Sequence, residues 1–209
     1  MSEKGLFITF EGADGAGKST QLKKVATWLE SIGYEVVCTR EPGGTANAEK
    51  LREVVLDPKL VIGDRAETLL YLASRAEHVR ELIKPSLDAG KIVLCDRFSD
   101  STFVYQGLVR GIGIENIKGL NDFATCGIEP KFTLVFDGDP LEFAKRRKER
   151  GEMDRLELEG LDFQVKVREG FLNLAAKNPS RLKIVNALAS EEEVFALLKA
   201  LISKELNSK

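Results

Sequence analysis

A glycine-rich loop near the start of the chain constrains its fold more than any other feature of the sequence. The loop reads Gly12-Ala-Asp-Gly-Ala-Gly-Lys-Ser19 and matches the spacing GxxxxGK[ST] at every fixed position. A strand-like apolar run, residues 6–10, precedes it, and helical apolar spacing follows over residues 17–31. Glycines let the backbone N–H groups point into one concave nest, and the helix N-terminus adds its positive dipole end. The sequence therefore predicts a phosphate-binding loop between a strand and a helix.

The residues of this loop have predictable roles toward a nucleoside triphosphate. The Lys18 ammonium would reach the β- and γ-phosphates, and the Ser19 hydroxyl would ligate Mg²⁺. Because switch GTPases, ATPases and small-molecule kinases share the motif, it does not define the reaction, although the sequence lacks an NKxD motif for guanine. The candidate ATP-binding residues are Gly12, Ala13, Asp14, Gly15, Ala16, Gly17, Lys18, Ser19 and Thr20.

Strand-like and helix-like segments alternate along the rest of the chain. This pattern is typical of a parallel sheet covered by helices on both faces. With right-handed crossovers it predicts an α/β three-layer sandwich with a five-stranded parallel sheet, in one domain spanning residues 1–209. The predicted strands cover residues 6–10, 34–39, 92–95, 132–136 and 182–185. The predicted helices cover residues 17–31, 48–56, 65–89, 99–109, 115–125, 141–150, 163–176 and 190–206.

Composition and charge argue against several classes of protein. The 31 basic and 33 acidic residues give a net charge of −2, which argues against a nucleic-acid partner. No apolar run approaches the ~18 residues of a membrane span, and no secretory signal is recognisable, so we expect a cytoplasmic protein with no membrane partner. The three cysteines form no CxxC pair, and a single histidine, His78, excludes an HExxH metal site.

Two charged residues follow the third predicted strand. Asp96 stands directly after four apolar residues, where an acid that holds the water shell of a metal is expected. The alternative is a carboxylate that caps the next helix. Arg97 is placed to bridge donor and acceptor phosphates, and its alternative is a structural ion pair with Asp96 or Glu41.

An aromatic residue and an arginine share one face of the predicted helix 65–89. Tyr71 and Arg75 are four residues apart, so a ring and a guanidinium would be available to stack on a base and hold a phosphate. The alternative interpretation is a core Tyr71 and a surface Arg75. In an open parallel sheet, ligands bind beyond the carboxyl ends of the strands, where this helix and the segments 39–45 and 96–106 would converge.

The segment 145–155 concentrates positive charge in a chain that is slightly acidic overall. It carries six basic and three acidic residues. One interpretation is a lid, residues 145–157, whose arginines close over a transferring phosphoryl group, with Gly151 as a flexible point. The alternatives are a solvated helix face and a weak nucleic-acid patch.

In their order along the chain, these clusters resemble the bacterial thymidylate kinase family from about residue 5 to residue 200. The resemblance rests on EGADGAGKST (11–20), REPGGT (40–45), LLYLASRAEH (69–78), DRFSDSTFVYQG (96–107) and KRRKERGEMDRLE (145–157). It implies transfer of the γ-phosphoryl group of ATP to dTMP, which gives ADP and dTDP for dTTP synthesis, with Mg²⁺ as cofactor. It also implies a homodimer, to which the long helix 65–89 would contribute an apolar face.

The resemblance also implies roles for individual residues. Asp14 would accept the deoxyribose 3′-hydroxyl near the acceptor phosphate, Tyr71 would stack on thymine, and Tyr105 would disfavour a 2′-hydroxyl. The Glu41–Pro42 peptide would be cis. The implied substrate-binding residues are Asp14, Glu41, Pro42, Tyr71, Arg75, Arg97, Ser101, Thr102, Tyr105 and Gln106.

Catalysis would rest on charged residues from the loop, the third strand and the lid. Some family members carry an arginine directly after the aspartate of the loop, where this chain has Gly15. The catalytic arginine would then come from the lid, as Arg150 or Arg155, with Arg147 as a further option. The implied catalytic residues are Lys18, Arg97, Asp14, Arg150 and Arg155, and the implied metal-binding residues are Ser19 and Asp96.

Three alternative functions stay open from the sequence. The acceptor could be another monophosphate such as UMP. The chain could be a regulatory ATPase whose output is partner binding, although a switch has no need of a second phosphate site. The basic segment 145–155 could bind RNA, although the net negative charge opposes the long-range attraction that this requires.

Overall fold

A five-stranded parallel sheet forms the centre of the molecule, in a computed structural model that describes residues 5–150, 155–156 and 158–207. The strand order is β2-β3-β1-β4-β5, so the first strand is central. The strands are β1 Leu6–Gly12, β2 Val36–Arg40, β3 Ile92–Asp96, β4 Phe132–Asp137 and β5 Leu182–Asn186.

Helices cover both faces of the sheet and complete three layers. The described helices are α1 Lys18–Ser31, α2 Ala46–Leu56, α3 Asp64–His78, α4 Lys84–Asp88, α5 Ser99–Thr102, α6 Ile114–Thr125, α7 Pro140–Arg150, α8 Leu161–Lys177 and α9 Glu191–Leu206. The predicted α/β sandwich is confirmed. No helix in these described ranges is long and apolar enough to cross a membrane.

Successive side chains along the strands point to opposite faces of the sheet, so the hydrophobic core has a part on each face. On β1, Leu6, Ile8 and Phe10 pack with α1 and α9, while Phe7 packs on the opposite face with the helices that follow α3. Successive side chains of a strand point to opposite faces, so a strand buried on both faces reads as a continuous apolar run. This arrangement explains why β1 is fully buried while the edge strand β2 is partly exposed.

The register of the parallel strands brings three loops to one edge of the sheet. Phe10 of β1 and Arg40 of β2 both lie opposite Asp96 of β3. The segments that follow these three strands therefore leave the sheet side by side, as expected for a ligand site of an open parallel sheet. The two strand ends are joined further by Glu41 N–H donating to the Asp96 carbonyl at 2.9 Å.

Two predicted helices contain π-helical segments. The helix predicted over residues 65–89 is α3 and α4 with a π-helical segment, Val79–Ile83, between them. The helix predicted over residues 99–109 is α5 followed by a longer π-helical segment, Phe103–Val109. A π turn fits an extra residue into the helix, and apolar spacing of period 3.6 does not reveal it.

Candidate functional site

A cavity of about 600 Å³ opens at the carboxyl edge of the sheet. It is bounded by the phosphate loop, the segment after β2, the helix α3 and the segment after β3. Most of the residues predicted for the site line it: Asp14, Gly15, Gly17, Lys18, Ser19, Thr20, Glu41, Pro42, Tyr71, Arg75, Asp96, Arg97, Ser101, Thr102, Tyr105 and Gln106. Arg40, Arg52, Leu56, Phe98 and Leu156 line it as well and were not predicted.

The phosphate loop takes its shape from glycines in the left-handed region of the backbone. Gly12, Gly15 and Gly17 have φ of 125°, 86° and 86°. A Cβ atom on Gly12 would also lie 2.5 Å from the carbonyl oxygen of Phe136 on β4, so this position requires glycine for space as well as conformation.

The Lys18 ammonium is buried inside the loop. Its Nζ donates to the Gly12 carbonyl at 3.1 Å and to the Ala13 carbonyl at 3.0 Å. Burial lowers its pKa, and the nearby Arg97 lowers it further. The lysine thus holds the curvature of the loop while remaining within 4.0 Å of the Asp14 and Asp96 carboxylates.

Ser19 and Asp96 form a pair of oxygen ligands at the base of the cavity. The Ser19 hydroxyl donates to Asp96 Oδ2 at 2.6 Å. The N–H groups of Phe98 and Ser101 at the start of the next helix donate to Glu11 and not to Asp96. In the described part of the chain there is no group of three His, Cys, Asp or Glu side chains placed to hold a metal. Two hard oxygen ligands suit Mg²⁺, which usually keeps several waters and binds substrate phosphates.

Arg97 has a strained backbone and a side chain held by several contacts. Its φ is 71°, in the left-handed region that a non-glycine residue rarely occupies. Its Nη2 donates to Asp14 Oδ1 at 2.8 Å, its Nη1 donates to Ser101 Oγ at 3.1 Å, and the guanidinium lies 5.3 Å from the centre of the Tyr105 ring. The alternative interpretation, an ion pair with Asp96 or Glu41, named other partners than the one the structure gives: the Arg97 guanidinium pairs with Asp14.

Burial and charge act in opposite directions on Arg97. Burial favours the neutral form, but the Asp14 carboxylate and other nearby anions outweigh it and raise the pKa well above its ordinary value. The guanidinium therefore stays charged in the site.

Arg75 is one of the largest buried side chains, so the alternative of a surface arginine is wrong. Its Nε donates to Glu41 Oε2 at 2.7 Å and its Nη1 donates to Asn121 Oδ1 at 2.9 Å. His78 Nδ1 lies 3.0 Å from the other Glu41 oxygen, and its Nε2 lies 2.6 Å from Thr39 Oγ1. The arginine is buried because its charge is paired within the protein and its guanidinium is 5.1 Å from the Phe98 ring centre.

The same pairing fixes the segment after β2 against α3. The Glu41–Pro42 peptide is cis, as the resemblance implied. A Cβ atom on Gly44 would lie 2.6 Å from His78 Nε2, and the Gly43 N–H donates to Ser74 Oγ at 3.0 Å. Sequence analysis predicted no structural role for His78, and its position three residues after Arg75 on α3 was the available signal.

Tyr105 and Gln106 reach the cavity from the π-helical segment Phe103–Val109. The buried Tyr105 hydroxyl has no hydrogen-bond partner among the described residues, and burial raises its pKa. Gln106 Nε2 donates to Glu67 Oε1 at 2.8 Å. One wall of the cavity thus carries the unpartnered Tyr105 hydroxyl beside the Gln106 amide, and Glu67 of α3 holds this amide in one orientation.

The lid interpretation falls partly outside the described residues, which leave out 151–154, 157 and the side chains of Arg147 and Arg150. Arg155 is described and does not line the cavity. Its Nη2 donates to the buried Glu67 carboxylate at 2.5 Å, and its Nε donates to the Val55 carbonyl at 3.0 Å. In this structure Arg155 therefore joins the end of the lid segment to α2 and α3.

A smaller cavity of about 210 Å³ lies on the other side of the phosphate loop. Arg146 of α7 crosses it, with Nη1 3.4 Å from the Gly15 carbonyl and 3.3 Å from the Ala187 carbonyl. Among the residues predicted for ATP, Ala16, Gly17 and Thr20 line this cavity. Sequence reasoning missed the contribution of the segment after β5, because no motif marks it.

Glu11 is a charged residue that the sequence analysis also missed. It lies on β1 and is fully buried, where it accepts hydrogen bonds from the Phe98 N–H at 2.8 Å, the Ser101 N–H at 3.2 Å and the Ser101 hydroxyl at 2.5 Å. Burial, and next the Asp100 carboxylate, raise the pKa of Glu11 to about 7. Its position directly before the loop was the only available signal.

A phosphate-binding loop that faces a cavity with one buried and one partly buried arginine defines the class of protein. One anion binds on the loop, and the arginines suit a second anion on the opposite side of the same cavity. This arrangement on a five-stranded parallel sheet is that of a P-loop nucleotide kinase.

Comparison with known proteins identifies the family within this class. The family model described as thymidylate kinase matches residues 10–198. The thymidylate kinase of Geobacillus sp. (strain WCH70) is 45% identical over 210 residues, covering 99% of this chain and 100% of that protein. That of Finegoldia magna is 47% identical over 192 residues, covering 91% of this chain and 94% of that protein. The crystal structure of thymidylate kinase from Ehrlichia chaffeensis superposes with a TM-score of 0.77 at 36% identity, covering 96% of this chain and 99% of that one. The chain belongs to the thymidylate kinase family.

We predict that Glu11 makes the stability of the protein depend on pH. The pKa of Glu11 is raised from 4.5 to about 7 on folding, so the native state binds the extra proton between these values. The stability from this group is complete below about pH 4.5 and is lost as the pH rises through about 7. Between about pH 5 and pH 8, the wild type should lose up to a few kcal/mol of unfolding free energy relative to Glu11→Gln.

Urea unfolding of both proteins across this pH range measures the difference. Only the change of the difference with pH matters, so a constant offset from the substitution does not affect the test. Parallel stability profiles for the two proteins would show that Glu11 is already ionised throughout the range.

Proposed function

We propose that the chain transfers the γ-phosphoryl group of ATP to dTMP and releases ADP and dTDP. The observation that carries the proposal is the placement of Arg97, which lies between Asp14 of the phosphate loop and Ser101 of the opposite wall. A cation at this point serves two phosphates that meet head to head. Membership of the thymidylate kinase family supports the choice of dTMP as acceptor.

ATP would lie along the phosphate loop with its base in the smaller cavity. The amides of residues 12–20 would bind the phosphates, with Lys18 on the β- and γ-phosphates. The smaller cavity adjoins the loop at Ala16 and Gly17, and the guanidinium of Arg146 would pack against the base.

A magnesium ion fits the oxygen pair of Ser19 and Asp96. These two residues would hold it, and the bound ion would supply positive charge to the β- and γ-phosphates. The hydrogen bond between the two side chains already fixes both oxygens at one place.

The acceptor would occupy the larger cavity between α3 and the segment after β3. Tyr71 would stack on thymine, and Arg75 with Glu41 would bind the base edge or the phosphate. Ser101, Thr102 and Gln106 would contact the pyrimidine, and the unpartnered Tyr105 hydroxyl would face the sugar. The acceptor oxygen is already anionic, so the reaction needs alignment and charge neutralisation rather than a strong general base.

The lid would supply the remaining positive charge. Of the two candidate arginines, we propose Arg150 as the catalytic one, at the end of α7. The Arg155 side chain is engaged with the buried Glu67 and with the Val55 carbonyl, so it would have to break these contacts to reach a phosphate. Arg155 instead would anchor the lid segment.

We predict that dTMP is the preferred acceptor. An assay that follows ADP release in the presence of Mg²⁺ and ATP, across dTMP, dUMP, UMP and CMP, should give kcat/KM for dTMP about 100-fold above UMP and CMP. Comparable rates with UMP or CMP would overturn the assignment. Slow ADP release that no monophosphate accelerates would favour the regulatory ATPase instead.

Three cations should each be necessary for turnover. Lys18→Ala, Arg97→Ala and Arg150→Ala should lower kcat by about 10²–10⁵-fold, because each removes a charge from the phosphoryl group in transit. Lys166→Ala and Arg65→Ala remove exposed charges away from the cavity and serve as controls. Steady-state kinetics on folded variants, checked by circular dichroism, measures this. A variant of the first group with nearly wild-type turnover would remove that residue from the mechanism.

The cytoplasmic location stays a prediction from the sequence.

We also propose a homodimer formed through α3 and α6. The two helices pack on each other and present exposed apolar side chains, including Leu69 at 55% and Phe123 at 86% exposure. Light scattering should give the mass of two chains for the wild type and for the control Leu141→Glu, and of one chain for Phe123→Glu. A wild-type monomer at micromolar concentration would contradict the dimer.

A further inference from the structure

Glu11 lies behind the acceptor wall of the cavity and contacts neither cavity directly. It is the residue before the first glycine of the phosphate loop and lies on the face of β1 that carries α5. None of the roles proposed above uses it. A fully buried carboxylate is rare in proteins unless its hydrogen bonds are needed, so its partners indicate what it does.

The first contact of Glu11 completes the start of the helix that forms the acceptor wall. The helix α5 has no local side-chain cap, yet the N–H groups of Phe98 and Ser101 both donate to Glu11 Oε1. The Phe98 N–H is one of the groups that a helix start leaves without a partner inside the helix, and the Ser101 N–H shares its proton between Glu11 and the Phe98 carbonyl at 3.1 Å. A carboxylate is also the charge that a helix N-terminus favours. Glu11, which lies on the strand β1, therefore caps the helix α5.

The same contact holds the strained turn at Arg97. The residue lies between β3 and α5 with φ of 71°. Its N–H donates to the Phe10 carbonyl at 2.9 Å, and the next N–H, of Phe98, donates to Glu11. Two adjacent residues of β1 thus fix the backbone on both sides of Arg97. A strained conformation of this kind persists only where its surroundings determine it.

The second contact of Glu11 orients the Arg97 side chain through Ser101. The Ser101 hydroxyl gives its single proton to Glu11 Oε2, so its lone pairs face Arg97 Nη1, which donates to it. The hydrogen bonds run from Arg97 to Ser101 and from Ser101 to Glu11. The other side of the guanidinium is held by Asp14.

The neighbouring Asp100 carboxylate makes its hydrogen bonds with other residues than Glu11 does. Asp100 is buried next to Ser101, but both of its oxygens accept from Arg181, at 2.6 and 2.7 Å, and one also accepts from Thr133 Oγ1 at 2.9 Å. Because Asp100 has its own cation, Glu11 remains directed to the Arg97 turn. Asp100 is therefore a matched control for a buried carboxylate beside the same helix.

We propose that Glu11 is a positioning residue for the acceptor phosphate, acting on Arg97 through the Arg97–Phe98 backbone and the Ser101 hydroxyl. The inference rests on the proposed function, in which Arg97 binds that phosphate. It predicts that loss of Glu11 weakens the binding and use of dTMP and leaves the binding of ATP unchanged. This is expected although Glu11 directly precedes the ATP-binding loop in the sequence.

The test uses Glu11→Gln in the full-length enzyme. A misplaced Arg97 should lower kcat/KM for dTMP by about 100-fold and weaken dTMP binding in calorimetry, while KM for ATP stays within about twofold. Ser101→Ala should give a smaller change of the same kind, and the double variant should be no worse than Glu11→Gln, because both act on one chain of contacts. Asp100→Asn should lower the thermal stability without separating the two substrates.

Each result decides between positioning and other roles. Unchanged kcat/KM for dTMP in Glu11→Gln would overturn the inference. KM values for ATP and dTMP that rise by the same factor would also overturn it. If Glu11→Gln does not fold, Glu11→Asp, which keeps the charge and shortens the side chain, must show the acceptor-side loss for the inference to stand. If Arg97→Ala itself binds dTMP like the wild type, the proposed role of Arg97 fails first. If only Arg97→Ala loses dTMP, the function stands and the role of Glu11 is wrong.

Discussion

A buried lysine and a partly buried arginine, held in one cavity by carboxylates, are the arrangement on which the site depends. Lys18 and Arg97 repel each other, and burial disfavours the charge of each. Asp14 lies within hydrogen-bond distance of Arg97 and 4.0 Å from Lys18, so one carboxylate serves both. Phosphates would add further negative charge to the same pair, and the cations are already in place to receive it.

The backbone of the phosphate loop and the end of β3 make this arrangement possible. Gly12 approaches β4 so closely that no side chain fits, and Arg97 turns back toward the loop through a left-handed residue. Both features lie at the carboxyl ends of neighbouring parallel strands. The register Phe10–Asp96 is what places Asp14 opposite Arg97, although 83 residues separate them in the chain.

A second set of buried charges supports the walls of the cavity. Glu41 joins Arg75 to His78, Glu67 joins Gln106 to Arg155, and Glu11 joins the start of α5 to β1. Each carboxylate connects elements that are distant in sequence, and each is itself buried. Removing one partner of such a group leaves an unpaired buried charge, which makes the walls rigid and sensitive to substitution.

The sequence by itself determined the local chemistry of this protein. The loop 12–19, the alternation of strands and helices and the grouping of Asp96 with Arg97 all depend on residues close in the chain, and short-range geometry suffices to predict them. The tertiary structure decided which charges meet. It buries Arg75, pairs Arg97 with Asp14 and Arg155 with Glu67, and places Glu11 in contact with the start of α5. These pairings depend on strand register, a left-handed residue and π-helical turns, which bring together residues whose separation in the chain carries no periodic signal.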